Sequence, residues 1–210
     1  MLKSSSRGLA VLAIALVAAC QSVPPPAPTA APATAPAPAP VVETVIQPEA
    51  IDLDQQLYEQ ALQALKNGDA ETALIALEQL ARDAPEKPYL YTNLGLAYFK
   101  QGQAQAAEVA FMEAISRNPD DAVAHNHLGI LQRRKGQFQE ALRQYRRAIE
   151  IDAGYARAHL NLGILFDLYL QDLDMALQHY QNYRALNNGD NEQVDGWIVD
   201  IERRLKTAES

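Results

Sequence analysis

Residues 88–121, PYLYTNLGLAYFKQGQAQAAEVAFMEAISRNPDD, decide the fold because the chain repeats their plan. When the next 34 residues are aligned beneath them, Leu94-Gly95 matches Leu128-Gly129 and Gly102 matches Gly136. A fixed period of this length is typical of a repeat architecture, and a stable stack needs about three copies. The same spacing divides the chain into four segments, 54–87, 88–121, 122–155 and 156–190.

Each segment contains two helical patterns separated by a turn. Gly68, Gly102 and Gly136 stand at this turn, where glycine can adopt a positive φ and end the first helix. Pro85 and Pro119 come after the second helix, which proline cannot continue. The sequence therefore predicts a series of helix–turn–helix units.

Small residues are expected to set the spacing between the two helices of a unit. Gly95 recurs as Gly129 and Gly163 in the first helix, and Ala107 recurs as Ala141 and Ala176 in the second. We expect these glycines to face these alanines, so that the two backbones approach closely.

The two ends of the array depart from the pattern. The first segment has Gln60-Ala61 where the others have Leu-Gly, and the fourth needs one extra residue between Leu168 and Asp174 and lacks a turn glycine. Residues 191–210 follow the repeats. Their apolar residues fall on one helical face, which predicts a C-terminal capping helix over the last apolar surface of the stack. These residues are Val194, Trp197, Ile198, Ile201 and Leu205.

The order of an aromatic residue, Leu-Gly, Tyr, Ala, Phe, Ala and Pro at fixed offsets resembles the tetratricopeptide repeat (TPR). The resemblance implies an all-α fold, a TPR α-solenoid of about four helix–turn–helix repeats within residues 51–190, closed by the capping helix. In proteins with this repeat, the first helices line a concave groove that receives a peptide or helix of a partner. Carried onto this chain, the partner-binding residues are Tyr89, Thr92, Asn93, Leu96, Phe99, Val123, Asn126, Ile130, Arg133, Arg134, Arg157, Leu160 and Ile164.

The third segment is locally basic although the chain has a net charge of −8. A solvated face balanced by neighbouring acids and a site for an acidic partner explain this composition equally well. The basic residues are Arg133, Arg134, Lys135, Arg143, Arg146 and Arg147.

Residues 1–19 combine Lys3 and Arg7 with a short apolar run that ends in small residues, which predicts a secretory signal peptide. The last three of these residues and the next one, Val17-Ala18-Ala19-Cys20, resemble the lipobox of bacterial lipoproteins. In that motif, cleavage occurs before a cysteine that becomes acylated. Cys20 is the only cysteine, so no disulfide within the chain competes with lipidation. The alternative is an ordinary signal peptide with an incidental cysteine.

In the sorting rule of such lipoproteins, Asp after the cysteine favours the inner membrane. Gln21 therefore suggests the outer membrane, facing the periplasm.

Residues 20–50 form a predicted disordered linker. Nine of the twelve prolines of the chain fall between residues 21 and 48, interleaved mainly with alanine. Such a composition favours extended polyproline II conformations over a packed core.

Composition and motifs argue against several functions. Removing residues 1–19 takes away Lys3 and Arg7 and changes the net charge from −8 to −10, which is unfavourable for nucleic-acid binding. The chain contains no phosphate-binding loop, no paired-cysteine metal site and no recognisable catalytic set, so we predict no cofactor and no enzymatic activity. His125 and His159 occupy the repeated aromatic position, where a core role is favoured over metal binding.

These features favour a membrane-anchored periplasmic adaptor that binds other envelope proteins through the groove. Lipoproteins with such repeats serve pilus assembly, peptidoglycan-enzyme scaffolding or energy transduction, and this chain resembles them in its anchor and its repeats. Two alternatives stay open, a self-associating structural spacer and an enzyme with unrecognised chemistry. The sequence determines neither the partner nor the oligomeric state.

Overall fold

Paired helices recur along the computed structural model, which describes residues 53–188 and 191–208. Contacts group residues 47–210 into a unit separate from residues 1–46. The helices are α1 (Leu53–Asn67), α2 (Ala70–Asp83), α3 (Pro88–Lys100), α4 (Ala104–Arg117), α5 (Ala122–Arg134), α6 (Phe138–Ile151), α7 (Ala156–Leu165), a π-helical turn (Phe166–Leu170), α8 (Leu173–Leu186) and α9 (Glu192–Ala208).

The all-α prediction is confirmed, and the predicted repeats correspond to the hairpins α1–α2, α3–α4, α5–α6 and α7–α8. The signal peptide, Cys20 and the Pro/Ala-rich linker lie outside the described residues, so those predictions stay predictions. Within the described ranges, no helix has both the length and the apolar content needed to cross a bilayer.

The turn glycines adopt the conformation that the sequence predicts. Gly68, Gly102 and Gly136 have φ values of 84°, 76° and 76°, in the left-handed region that side chains disfavour. In the second repeat, the amide of Gln103 donates to the carbonyl oxygen of Tyr98 at 2.9 Å, so the turn satisfies a carbonyl group at the helix end.

The fourth repeat accommodates its extra residue in the π-helical turn at the end of α7. Its turn residue is Gln171, which has a φ of 54° and so takes the conformation that glycine has in the other repeats. The amide of Asp172 then donates to the carbonyl oxygen of Phe166 at 3.0 Å. The extra residue predicted from the sequence is therefore accommodated as a π-helical turn.

The expected pairing of glycine with alanine is wrong. The atoms nearest to a Cβ built on Gly95 belong to the ring of Phe111, the closest at 2.5 Å. Gly129 faces the ring of Tyr145 in the same way, and Gly163 faces Tyr180. Each glycine therefore makes room for an aromatic ring of the second helix, because any side chain there would overlap with the ring.

The predicted capping helix is confirmed as α9. Val194, Ile198 and Ile201 are buried against the last repeat. The Trp197 ring lies 5.3 Å from the ring of Tyr180, in agreement with its predicted place in the core. Among the described residues, the buried ones extend from Ala61 in α1 to Ile201 in α9, so the core of the unit 47–210 runs from its first helix to its last.

Candidate protein-binding groove

The first helices of successive repeats, α1, α3, α5 and α7, contact one another and form a continuous surface. Three depressions follow this surface, and we call them together the groove. The first has a volume of about 430 Å³ and is lined by Asp54, Gln55, Tyr58, Glu59, Leu62, Leu80, Ala84, Lys87, Tyr89 and Leu90. The middle depression, of about 570 Å³, is lined by Leu62, Leu65, Lys66, Asn93, Leu96, Phe99, Lys100, Val123, His127, Tyr155 and Arg157. The third, of about 300 Å³, is lined by Asn126, His127, Ile130, Arg157, Leu160, Asn161 and Tyr183.

Shared residues connect the three depressions. Leu62 lines both the first and the middle one, and His127 and Arg157 line both the middle and the third. An extended segment could therefore follow the groove across all four repeats.

Most of the predicted partner-binding residues lie in this groove. Leu96, Phe99 and Val123 form part of its apolar lining in the middle depression, and Ile130 and Leu160 do so in the third. Exposed side chains are also present. Tyr89 is 42% exposed in the first depression, and Arg157 is exposed at the boundary of the other two.

Thr92 and Asn126 are among the predicted partner-binding residues, but both side chains are buried. Thr92 is buried, and its hydroxyl donates to a carboxylate oxygen of Asp121, which follows α4. Asn126 is only 1% exposed, and its amide oxygen accepts a hydrogen bond of 2.8 Å from Asn161. Thr92 thus contacts the residue that caps α5, and Asn126 connects α5 to α7, so their hydrogen-bonding groups serve the stack.

Asn93 also has partners within the stack, although it lines the middle depression. Its amide nitrogen donates to the Tyr58 hydroxyl and to the Tyr89 carbonyl oxygen, both at 2.9 Å. The rings of Tyr58 and Tyr89 meet edge to face, with centroids 5.0 Å apart. Asn93 therefore helps to fix the two tyrosines of the first depression.

Besides Thr92, three of the predicted residues lie outside the linings of the groove. Arg133 donates from Nε to the Tyr145 hydroxyl at 3.4 Å, and Ile164 packs against the core of the last repeats. The Arg134 guanidinium lies 4.7 Å from the centroid of the Phe99 ring, and Phe99 itself lines the middle depression. Aromatic packing of this kind holds an arginine in place.

The basic residues of the third repeat do not form one site. Three of them pair with acidic residues: Lys135 with Glu108 at 2.5 Å, Arg143 with Glu140 at 3.2 Å, and Arg147 with Asp120 at 2.6 Å. For these three residues, the structure agrees with the interpretation as a solvated face balanced by nearby acids.

His127 lies at the centre of the groove between two aromatic rings. Its ring stacks on Phe111 and meets Phe99 edge to face, with centroid distances of 5.3 Å in both cases. Nδ1 is buried and has no hydrogen-bond partner among the described residues. Burial, and then the positive charge of Arg157, lower the pKa of the His127 imidazole to about 4, so the ring is neutral at neutral pH.

The groove has an uneven charge distribution. Lys66, Lys100 and Arg157 line the middle depression, and in the described part of the chain no carboxylate lines it or the third depression. Asp54 and Glu59 line only the first depression. An apolar floor with surrounding cations in an acidic protein is suited to a segment that carries apolar and acidic side chains.

Comparison with protein families identifies the repeat. Two models described as tetratricopeptide repeat match residues 86–153 and 126–191, which together span half of the chain. The chain belongs to the tetratricopeptide repeat proteins. No curated protein matches this TPR protein in sequence.

Solved structures share the TPR fold. PilF of Pseudomonas aeruginosa has a TM-score of 0.65 and 18% identity, over 73% of this chain and 69% of that one. MamA of Desulfovibrio magneticus RS-1 has a TM-score of 0.62 and 21% identity, over 74% of this chain and 86% of that one. The first TPR of Spaghetti (RPAP3), bound to the HSP90 peptide SRMEEVD, has a TM-score of 0.53 and 22% identity, over 57% of this chain and 94% of that one. At these identities the likeness shows the fold alone.

Several groove residues of this TPR protein were not predicted from the sequence. Leu62 and Lys66 precede Leu96 and Lys100 by one period of 34 residues, so the repeat register could have found them. Helical spacing puts His127 on a different face from His125 and gives no sign of its aromatic neighbours. Tyr155, in the loop before α7, has no equivalent in a helical pattern. Its position in the groove depends on how the third and fourth repeats stack.

The other histidines of the TPR stack have structural partners. His125 is buried, with Nδ1 2.6 Å from Oε1 of Gln144 and Nε2 3.1 Å from the Pro119 carbonyl oxygen. His159 and His179 bring their Nδ1 atoms within 3.1 Å of each other. In the described ranges, no group of three or more metal-ligating side chains occurs. The absence of enzymatic activity stays a prediction.

Proposed function

We propose that this TPR protein is a lipid-anchored adaptor of the bacterial envelope. It holds a segment of another envelope protein in its groove. The observation that carries this proposal is the middle depression, where Lys66, Lys100 and Arg157 surround an apolar floor.

The proposed ligand is an extended or helical segment with apolar and acidic side chains. Apolar side chains would cover Leu96, Phe99 and Val123, and acidic side chains would pair with the surrounding cations. The peptide SRMEEVD, bound to the first TPR of Spaghetti, has three acidic residues and gives one precedent for such chemistry on a TPR fold.

The proposed anchor is a lipid on Cys20. Its support comes from the sequence, where Val17-Ala18-Ala19 precedes the only cysteine of the chain. Several acyl chains would make the attachment durable, since a single chain gives only marginal membrane binding. Gln21 after the cysteine favours the outer membrane, so the TPR unit would face the periplasm.

Lipidation can be tested on the full chain with labelled palmitate and membrane fractionation. We expect the wild-type chain to carry the label and to sediment with outer membranes, and Cys20→Ala to lose the label and become soluble. A Cys20→Ala chain that stays in the membrane fraction would disprove the anchor. Wild-type protein in the inner membrane would disprove the proposed sorting.

Binding in the groove can be tested with a display library of short peptides and the unit 47–210. We expect the selected peptides to combine acidic and apolar residues, and Arg157→Glu to weaken their binding by about tenfold, as expected for the loss of one close charge pair. Arg203→Glu is the matched control, because Arg203 is an exposed arginine of α9 outside the groove. Selected peptides without acidic residues, or equal effects of the two substitutions, would argue against the proposed site.

A further inference from the structure

The second helices α2 and α4 present exposed apolar side chains on a surface separate from the groove. Ile75 is 66% exposed, Val109 is 60% exposed and Met112 is 57% exposed. Ile75 and Val109 are one period apart and so occupy the same place on consecutive helices. Exposed apolar side chains that form a contiguous patch mark an interaction surface.

A depression of about 680 Å³ lies beside this patch. Tyr91 and Tyr98 of α3 contribute to its lining, and the Tyr98 hydroxyl donates to Glu78 of α2 at 2.7 Å. Its complete lining is Tyr91, Tyr98, Gln105, Ala106, Val109, Ala110 and Glu113, which is mainly apolar. The depression thus extends the patch from α4 to Tyr91 and Tyr98 of α3, next to Glu78 of α2.

The same face changes its charge from one repeat to the next. The position of Glu78 in α2 is occupied by Met112 in α4 and by Arg146 in α6. The position of Ile75 is occupied by Val109 and then by Arg143. Arg146 is exposed and forms no salt bridge within residues 53–188 and 191–208. At these two positions, α2 therefore carries Ile75 and the acidic Glu78, α4 carries two apolar side chains, and α6 carries two arginines.

We propose that this face binds a second copy of the chain across a twofold axis that runs parallel to α4, along its exposed face. Because α4 lies between α2 and α6 in the stack, the axis places α2 of one copy against α6 of the other. Val109 and Met112 of both copies then form the apolar centre. Glu78 of each copy meets Arg143 or Arg146 of its partner, so both edges are complementary in charge.

Sedimentation velocity on the unit 47–210 tests the dimer. We expect the wild-type unit to dimerise at micromolar concentration and Val109→Glu with Met112→Glu to make it monomeric. Gln178→Glu with Gln181→Glu is the matched control, because these exposed residues occupy the same two positions on α8. The control pair should leave the dimer intact. Circular dichroism should show that both double variants keep their helix content.

The orientation of the two copies has its own test. Cys20 lies outside the unit, so Met112→Cys supplies the only thiol. A short bismaleimide should link two Met112→Cys copies and should fail to link two Gln178→Cys copies.

Arg146→Glu with Arg143→Glu should weaken the dimer, and Glu78→Lys added to that pair should restore it. The groove substitution Arg157→Glu should have no effect on it.

A wild-type unit that is monomeric throughout, or a dimer that persists in Val109→Glu with Met112→Glu, would overturn the proposal. In the monomeric case, adding a peptide of residues 41–46 (VVETVI), a mainly apolar segment that the unit 47–210 lacks, or a candidate partner helix would show whether either occupies the face instead. Binding of either one would also count against the second copy as the occupant.

Discussion

Gly95 determines how closely α3 approaches α4, because the Phe111 ring occupies the space where a side chain would be. The first repeat has a different pair at the same two positions. Ala61 replaces the glycine, Leu77 replaces the aromatic residue, and both are completely buried. A larger residue on the first helix thus accompanies a smaller one on the second, so the two positions behave as one packing unit.

We expect Gly95→Ala to lower the free energy of unfolding by about 2–3 kcal/mol, because the new Cβ would lie 2.5 Å from a ring carbon of Phe111. Denaturant unfolding measures this change. Gly196→Ala is the matched control. Gly196 lies in α9, where a Cβ would meet no heavy atom within 4 Å. The substitution should therefore raise the free energy of unfolding by about 0.5–1 kcal/mol, because alanine has the higher helix propensity. Similar losses in both variants would show that the ring contact is unimportant.

The double variant Gly95→Ala with Phe111→Leu reproduces the pair found in the first repeat. We expect it to be more stable than the sum of the two single changes predicts, because the smaller side chain releases the overlap with the new methyl group. Strict additivity in a double-mutant cycle would refute the coupling between these positions.

His127 should make the stack sensitive to acid. Its folded-state pKa of about 4 lies below the ordinary value of 6.5, so the unfolded chain binds a proton that the folded chain does not. Stability should therefore fall as the pH drops from about 6.5 towards 4. In His127→Asn this contribution is absent, so the difference in unfolding free energy between the two proteins should change by about 2 kcal/mol between neutral pH and about pH 5. Parallel pH profiles of the two proteins would contradict a buried neutral imidazole.

At the level of the elements, the turn after α7 shows how a repeat accommodates one additional residue. The chain forms a π-helical turn at Phe166–Leu170 and then reverses through Gln171 in the left-handed conformation. The other three turns use glycine for this purpose. A non-glycine residue in this conformation costs about 1–2 kcal/mol.

Gln171→Gly should therefore raise the free energy of unfolding by about 0.5–1 kcal/mol, since glycine adopts this φ without strain but loses more backbone entropy on folding. Thermal or urea unfolding measures the gain. Gln178→Gly is the control, because it removes the same side chain from an exposed position inside α8. It should lower the free energy of unfolding by about 1 kcal/mol. If Gln171→Gly is destabilising as well, the side chain of Gln171 has a structural role that outweighs the backbone strain.

The sequence predicted the elements better than the surfaces between them. The period placed the turns at Gly102 and Gly136, and the apolar face of residues 191–210 predicted α9. Helical periodicity failed for Thr92, because its partner Asp121 comes from the loop before the next repeat. The surroundings of His127 likewise depend on Phe99 and Phe111 of the preceding repeat. A pattern within one helix contains no information on side chains from a neighbouring repeat.

Considered as a whole molecule, the stack has two faces with different properties. The groove on the first helices combines apolar side chains with the cations of its middle depression, whereas the second helices carry the apolar patch around Val109 and Met112. Partner capture through the groove and association of two copies through the second helices could therefore occur at the same time. A dimer would offer two grooves to a partner with repeated binding segments, which strengthens attachment without a new contact.

Photo-crosslinking in cells from the middle of the groove tests the central claim most directly. The full chain carries a photoreactive amino acid in place of Leu96, and a matched chain carries it in place of the exposed Gln178 on α8. We predict that position 96 alone yields an adduct with an acidic segment of another envelope protein, mapped by mass spectrometry, and that Lys100→Glu with Arg157→Glu abolishes it. The same adducts from both positions, or an adduct whose yield is unchanged by the two charge reversals, would contradict the account.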